Sequence, residues 1–106
     1  NVFKIWRNVF GKQKERVTRV ASGQLGNPRI IEQVMMSLGK NGADAIAPAA
    51  YFGLSSRDYD ALQVMGHDVT PSKVLKMARK ILYTKTIPML KQHKSLAKKN
   101  GLDLIT

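Results

Sequence analysis

The sequence contains no cysteine, which excludes a disulfide framework, a thiolate metal site and a cysteine nucleophile. Small domains outside cells usually carry disulfides, so this absence favours a chain that works in a reducing compartment. No stretch approaches the ~20 apolar residues that a membrane-spanning helix needs. Aromatic residues are also few, at 7% of the chain, and they offer little for stacking against nucleic acid bases.

Acidic residues are scarce as well. Seven Asp and Glu stand against 18 Lys and Arg, which leaves a net charge of +11 at pH 7. The excess lies at the two ends, because residues 1–19 hold six basic residues and one acid, and residues 73–106 hold nine and one. A surplus of this size favours polyanionic partners, although it also serves solubility alone.

The length of 106 residues suits one domain with one core. We interpret residues 1–106 as a single basic helical domain. Because the chain starts at Asn1 and not at Met, we expect it to be a fragment that lacks its N-terminal targeting region.

The clearest helical pattern covers residues 28–38, where an apolar stripe begins after the capping residue Asn27 and ends at Gly39. A second start of the same kind, Thr70 followed by Pro71, predicts a helix that should break or kink near Thr86. The other predicted helices cover residues 2–9 with a continuation to Val20, residues 56–65 after a serine cap, and residues 88–99.

Residues 40–54 combine turn signals at Asn41-Gly42 with an alanine-rich stretch that Pro48 limits to a short helix. We interpret this segment as a mobile loop whose amide hydrogens exchange faster than those of residues 28–38. No alternating run of residues predicts a strand. The predicted fold is therefore all-α, a single-domain bundle of about five short helices with a mobile loop near 40–54.

Residues suited to catalysis are few and scattered. His67 and His93 lie in different segments, and two histidines without cysteine do not supply the ligands of a zinc site. Ser55-Ser56 is better explained as a helix cap, made by one serine or the other, than as a nucleophile, and Asp58 suits the positive end of the same helix. We expect no enzyme activity, no catalytic residue, no metal, no cofactor and no small-molecule substrate.

The basic residues near the C-terminus carry the strongest functional signal, because no acid interrupts residues 73–99. Like charges at helical spacing repel one another, and an anionic partner would compensate for that repulsion. The predicted binding face consists of Lys73, Lys76, Arg79, Lys80, Lys91, Lys94, Lys98 and Lys99. If its partner is nucleic acid, the lysine-rich composition predicts contact with the phosphate backbone and little sequence preference.

Two segments resemble parts of the RxLR-type secreted effectors of oomycete plant pathogens. The stretch Val69 to Met77, with its Thr-Pro helix start, is similar to a recurring element of that family, and Phe3 to Trp6 looks like its tryptophan-bearing helix. The resemblance implies a helical domain in which Trp6 lies in the core. The tryptophan would pair there with a tyrosine of a neighbouring helix, for which Tyr51, Tyr59 and Tyr83 are the candidates.

The resemblance also implies a function. Such a protein would be secreted, translocated into the host cell, bind host proteins and be recognised by a plant immune receptor, with the host nucleus or nucleolus as its destination. The alternative is a cytoplasmic protein that binds the nucleic acid backbone through its C-terminal helices. An amphipathic surface that touches anionic lipid is a third hypothesis, although we do not expect a membrane among the partners.

Overall fold

The computed structural model describes residues 2–51 and 53–106. Along these residues the elements are α1 (Val2–Phe10), β1 (Val20–Gln24), α2 (Pro28–Leu38), β2 (Ala45–Ala49), α3 (Ser56–Met65), α4 (Pro71–Ile81), α5 (Ile87–Lys99) and β3 (Asp103–Leu104). Short 3-10 segments cover Gly11–Arg16 and Gly66–Asp68, and a π-helical turn, Leu82–Thr86, joins α4 to α5. The fold is mixed α/β, so the prediction of an all-α bundle of about five short helices is wrong.

The three strands form one parallel sheet with β2 in the centre. Val20 to Gln24 pair in register with Ala45 to Ala49, and Ala45 and Ile46 pair on their other side with β3. Parallel pairing joins segments far apart in sequence through a crossover, which here is α2 between β1 and β2. Such pairing leaves no local signal as plain as the turn of a hairpin.

The central strand lies inside the segment that we predicted to be a mobile loop near 40–54, so that prediction is wrong too. Alanine favours helix locally, but burial and two-sided pairing outweigh this preference. Pro48 is compatible with the strand because its nitrogen lies on the side of β2 that faces β3. On that side Ile46 O accepts from Ile105 N at 2.9 Å, and the next bond of the ladder would need the N–H that Pro48 lacks, so the pairing with β3 ends there.

Helices α2 and α5 cover the same face of the sheet and touch each other. Between them lies a core of small and branched side chains that consists of Ala21, Ile31, Ala43, Ile46 and Ala97. Ile31 and Ile46 have no exposed surface. Gly23 permits this packing, because a Cβ atom at its position would overlap Cγ1 of Ile31. The helix predicted at residues 28–38 is confirmed, and it supplies much of this core.

Helices α1, α3 and α4 lie outside this core. Of these, α3 and α4 begin where the cap signals predicted. Ser55 caps α3, and the hydroxyl of Thr70 accepts a hydrogen bond from Lys73 N at 3.3 Å at the start of α4. The first helix ends at Phe10, so the expected continuation to Val20 is wrong, and Val20 instead begins β1. With α1, α3 and α4 outside the core, the molecule has an extended shape of 62 × 23 × 17 Å.

Trp6 is not a core residue. Its side chain is 49% exposed, and it stacks on Phe10 of the same helix with ring centroids 5.8 Å apart. The tyrosine partner that the family resemblance implied is therefore replaced by a phenylalanine one turn away. Across residues 2–51 and 53–106, no helix is long and apolar enough to cross a membrane.

Candidate polyanion-binding surface

The residues of the predicted binding face belong to one continuous helical segment, Pro71–Lys99, which we call the basic helical segment. At ~1.5 Å per residue its 29 residues span roughly 43 Å. The segment ends at Asn100 with a Schellman cap, in which Gly101 N donates to Lys98 O at 3.2 Å and Leu102 N donates to Ala97 O at 3.0 Å. This cap confirms the ending expected from Asn100-Gly101.

The π-helical turn Leu82–Thr86 lies where a break or kink was expected. Pro88 has no N–H to donate to Thr84 O, and its ring would crowd that carbonyl in a regular helix. Thr84 in turn donates its hydroxyl to Lys80 O at 2.8 Å. A π turn holds about one extra residue, so the lysine stripe of α5 is rotated by roughly 100° from that of α4. The helix continues, but its charged face turns.

All eight predicted residues of the binding face are exposed on this segment. Lys85, which also lies between Lys73 and Lys99, is exposed as well and adds a ninth cation. In the part of the chain that the structure describes, the only ion pair within 4.0 Å joins Arg19 to Asp44, outside the segment. The ammonium of Lys73 donates to Asp68 O at 2.8 Å. The field of the segment is therefore nearly uncompensated within the molecule.

Asp58 is an acid outside the basic helical segment that the cations of the segment affect. Asp58 forms a capping box with Ser55, whose hydroxyl and backbone N–H hydrogen bonds lower the pKa of the carboxyl. Lys85 and Lys80 lower that pKa further, which places Asp58 near the middle of the segment. Asp58 therefore reduces the positive electrostatic field near Lys80 and Lys85. The field around the lysines of α5 is not reduced by this carboxylate.

A cavity at the end of α5 adds cations that sequence reasoning missed. It has a volume of about 770 Å³, and Arg7, Lys40 and Lys99 contribute cations to its wall, which also contains the carboxylates of Glu32 and Asp44. Met35 and Leu96 line its apolar side. Arg7 and Lys40 are far from Lys99 in sequence, so only the tertiary fold brings these three cations to one cavity. The candidate surface thus extends from α5 toward the loop after α2.

Arg19 and Asp44 form a buried link at the base of the sheet, just before β1 and β2. Arg19 Nε donates to Asp44 Oδ2 at 2.9 Å, Nη1 donates to Asn41 O at 2.7 Å, and Asp44 Oδ2 also accepts from Arg19 N at 2.8 Å. The Arg19 hydrogen bond is the main cause that lowers the pKa of Asp44 to about 2. The same pair raises the pKa of Arg19. Arg19 therefore serves structure and is not free to bind an anion.

His93 is the other buried polar group. It has no exposed surface, and its Nε2 lies 3.0 Å from Leu25 O, so this nitrogen carries the hydrogen and donates it. Among the described residues Nδ1 has no hydrogen-bond partner. The contact ties α5 to the loop that follows β1. His93 is therefore a packing residue of the core and does not face the candidate surface.

The other residues considered for chemistry also have structural roles. Ser55 N donates to Asp58 Oδ2 at 2.8 Å within the capping box, and His67 lies in the exposed 3-10 segment after α3. Within residues 2–51 and 53–106, no three side chains of His, Asp or Glu come together in a way that could hold a metal ion.

No family model, curated protein or solved structure matches the chain in comparison. Its function therefore has to be argued from its own surface.

Proposed function

We propose that this protein is a non-enzymatic nucleic-acid-binding protein that contacts the phosphate backbone through the basic helical segment. The observation that carries the proposal is nine exposed cations and no acid between residues 73 and 99 on one continuous helix. Phosphate contacts need positive charge along a line and no particular base-reading side chains. Lysine, which acts as a point charge, suits such contacts.

The shape of the segment supports the same proposal. A helix fits the major groove of a duplex, and the roughly 43 Å length covers about one helical turn of DNA. The turn of the lysine stripe at Leu82–Thr86 points cations to more than one side, which suits a partner with phosphates on both edges of a groove. Arg7 and Lys40 add cations in the cavity beyond the helix, where Glu32 and Asp44 offset part of their charge.

The test is binding to a labelled duplex and a labelled single strand across a salt series. We expect the logarithm of affinity to fall with the logarithm of salt at a slope of about −4 or steeper, which corresponds to roughly five phosphate contacts. Replacing Lys91, Lys94 and Lys98 with Gln should reduce the magnitude of the slope by about 3. Absence of binding at low salt would contradict the proposal.

A matched control removes the same charge elsewhere. The triple variant of Lys4, Lys12 and Lys14 to Gln has the same net charge, and all three residues are exposed. It should keep most of the affinity. Equal losses in the two triple variants would show that net charge alone attracts the nucleic acid.

Binding of a host protein after translocation stays a second candidate, because exposed apolar side chains on α3 favour a protein partner. Val64 is 89% exposed and Tyr59 is 56% exposed. A protein contact made by these residues would persist at high salt, where phosphate contacts weaken. The discriminating measurement is therefore partner retention at high salt by the protein and by a Tyr59→Ser, Val64→Ser variant.

A further inference from the structure

Helix α1 presents an apolar face that no described element covers. Val2, Ile5, Trp6 and Val9 follow the spacing of one helix face, and they are 57%, 62%, 49% and 72% exposed. Single exposed apolar residues are common, but four large ones side by side form a contact surface.

The flank of the helix next to Trp6 fixes this orientation. Phe3 and Phe10 are half-buried there, and with Val17 and the edge of Trp6 they line a small cavity between α1 and the segment that leads into β1. The 3-10 segment Gly11–Arg16 is the element that α1 contacts most. Helix α1 is therefore attached by its phenylalanine side and offers its aliphatic side to a partner.

Cations occupy the polar side of α1 and the segment that follows it. Lys4 and Arg7 lie on the opposite side of α1, and three more exposed cations follow directly in the 3-10 segment: Lys12, Lys14 and Arg16. Glu15 is the one acid in residues 1–19. Long lysine and arginine side chains can reach past an apolar face to charged groups beside it.

We propose that α1 and the 3-10 segment form an interfacial site that binds the surface of an anionic lipid membrane. The aliphatic face would enter the boundary between headgroups and acyl chains, Trp6 would lie at the headgroup level, and the five cations would contact lipid phosphates. Such a helix lies in the plane of the membrane and needs no spanning length. The absence of a spanning helix among the described residues does not bear on this mode of binding.

Charge favours this partner over a second copy of the chain. Two copies that met through α1 would bring two clusters of five cations together, within a protein whose net charge is +11. Nucleic acid would satisfy the cations but would leave the aliphatic face without a partner. An anionic membrane satisfies both. The inference does not depend on nucleic acid binding by the basic helical segment, since the apolar face of α1 and the lysines of residues 73–99 are different residues. Arg7 is the one cation that belongs to both surfaces.

Trp6 is the only tryptophan of the chain, so its fluorescence reports on this site directly. The experiment titrates the full chain with vesicles of phosphatidylcholine alone and with vesicles of equal phosphatidylcholine and phosphatidylglycerol. We expect a blue shift of Trp6 emission and co-sedimentation with the anionic vesicles. Brominated lipids should quench the emission, because the ring lies at shallow depth.

Two variants separate the contributions. Ile5→Ser with Val9→Ser should lower vesicle affinity by at least about tenfold, since it removes two apolar side chains from the lipid contact. The triple variant in which Gln replaces Lys4, Lys12 and Lys14 should lower vesicle affinity by about fivefold per residue. This loss is larger than the one expected from the serine double variant. The Lys91, Lys94 and Lys98 to Gln variant is the matched control and should bind vesicles almost as the unmodified chain does.

Three outcomes would overturn the proposal. The first is no change of Trp6 emission with either kind of vesicle. The second is equal binding losses in the two lysine triple variants, which would mean attraction by net charge without an interfacial site. The third is a blue shift that depends on protein concentration without lipid, together with a dimer in sedimentation, which would assign the face to a second copy.

Discussion

The half of the molecule built from β1, α2, β2, α5 and β3 differs sharply from the half built from α1, α3 and α4. In the first half, which we call the α/β core, Ile31 and Ile46 have no exposed surface. In the second half, which we call the outer helices, Val9, Leu75 and Val64 are 72%, 63% and 89% exposed. The α/β core holds the fold together and presents partner surface only through the exposed lysines of α5, whereas the outer helices consist mostly of exposed surface.

Local capping defines some elements of the molecule, and burial defines others. The outer helices α3 and α4 begin with strong caps, such as the box of Ser55 with Asp58, so local chemistry defines them without much packing. The strand β2 is alanine-rich and β1 contains Ser and Gly, so both have weak local preference and burial defines them. Local signals therefore located helices both inside and outside the core, but they did not locate the strands.

The largest expected effect is in the α/β core. Ile46→Ala should lower the free energy of unfolding by about 2–5 kcal/mol, because it leaves a cavity in the central strand. Urea unfolding followed by circular dichroism measures this loss. Val64→Ala on the outer helices is the control and should change stability by less than about 0.5 kcal/mol. Similar losses in both variants would remove the distinction between the two halves.

The next effect tests the link at the base of the sheet. Arg19→Met should cost about 2–4 kcal/mol near neutral pH, because it leaves the partly buried carboxylate of Asp44 without its cation. Partial exposure of Asp44 limits the loss, since water screens the remaining charge. Urea midpoints of the two proteins near neutral pH give the difference, and a difference below about 1 kcal/mol would contradict this role.

The same pair predicts an acid dependence. The pKa of Asp44 is lowered from 3.8 to about 2 in the folded protein, so the folded state binds the proton less readily than the unfolded state. The stabilisation is fully present above pH 3.8 and is lost as the pH falls toward 2. Arg19→Met should show a smaller loss of stability across this window, and urea midpoints at several acidic pH values would reveal it.

Gly23→Ala should have an intermediate effect, about 1–3 kcal/mol, because its new methyl group would overlap Ile31. The control is Gly26→Ala, where an added Cβ meets nothing within 4 Å. Thermal unfolding of both variants provides the measurement. A stable Gly23→Ala protein would mean that α2 can move away from β1 at little cost.

The smallest effect concerns Trp6. Trp6→Ala should lower stability by about 1 kcal/mol, which is the scale of one aromatic pair at a half-exposed position. A core tryptophan, which the sequence resemblance implied, would cost about 3–5 kcal/mol instead. Chemical unfolding monitored by circular dichroism tells the two values apart, and a loss in the larger range would place Trp6 in the core after all.

The helix at residues 28–38 could be predicted from the sequence alone. An apolar stripe and its boundaries define this helix locally, and the same reasoning located the starts of α3 and α4. The stretch Ala45–Ala49 shows where it failed, because its pairing partners are 25 and 58 residues away in the chain. Alternation is weak in a strand buried on both sides, so periodicity could not reveal it.

The candidate surface also has a part that the sequence predicts and a part that only the tertiary fold assembles. The cations of residues 73–99 could be predicted, because consecutive turns of one helix place them together and all are exposed. The contribution of Arg7 and Lys40 to the cavity beside Lys99 could not, because it depends on how three distant segments pack. The exposed face of α1 was also missed, since an apolar stripe looks the same whether a core or a partner covers it.

The order of the elements has a consequence for how the chain folds during synthesis. The unit of β1, α2 and β2 is complete once residue 49 has been made, but α5 and β3, which close the core, are made only after α3 and α4. Until residues 93–104 emerge, the apolar surface around Ile31 and Ile46 lacks the cover of Ala97, Leu102 and Leu104. A nascent chain would thus expose its future core throughout the translation of the entire basic helical segment, and closure of the core requires residues 97–104.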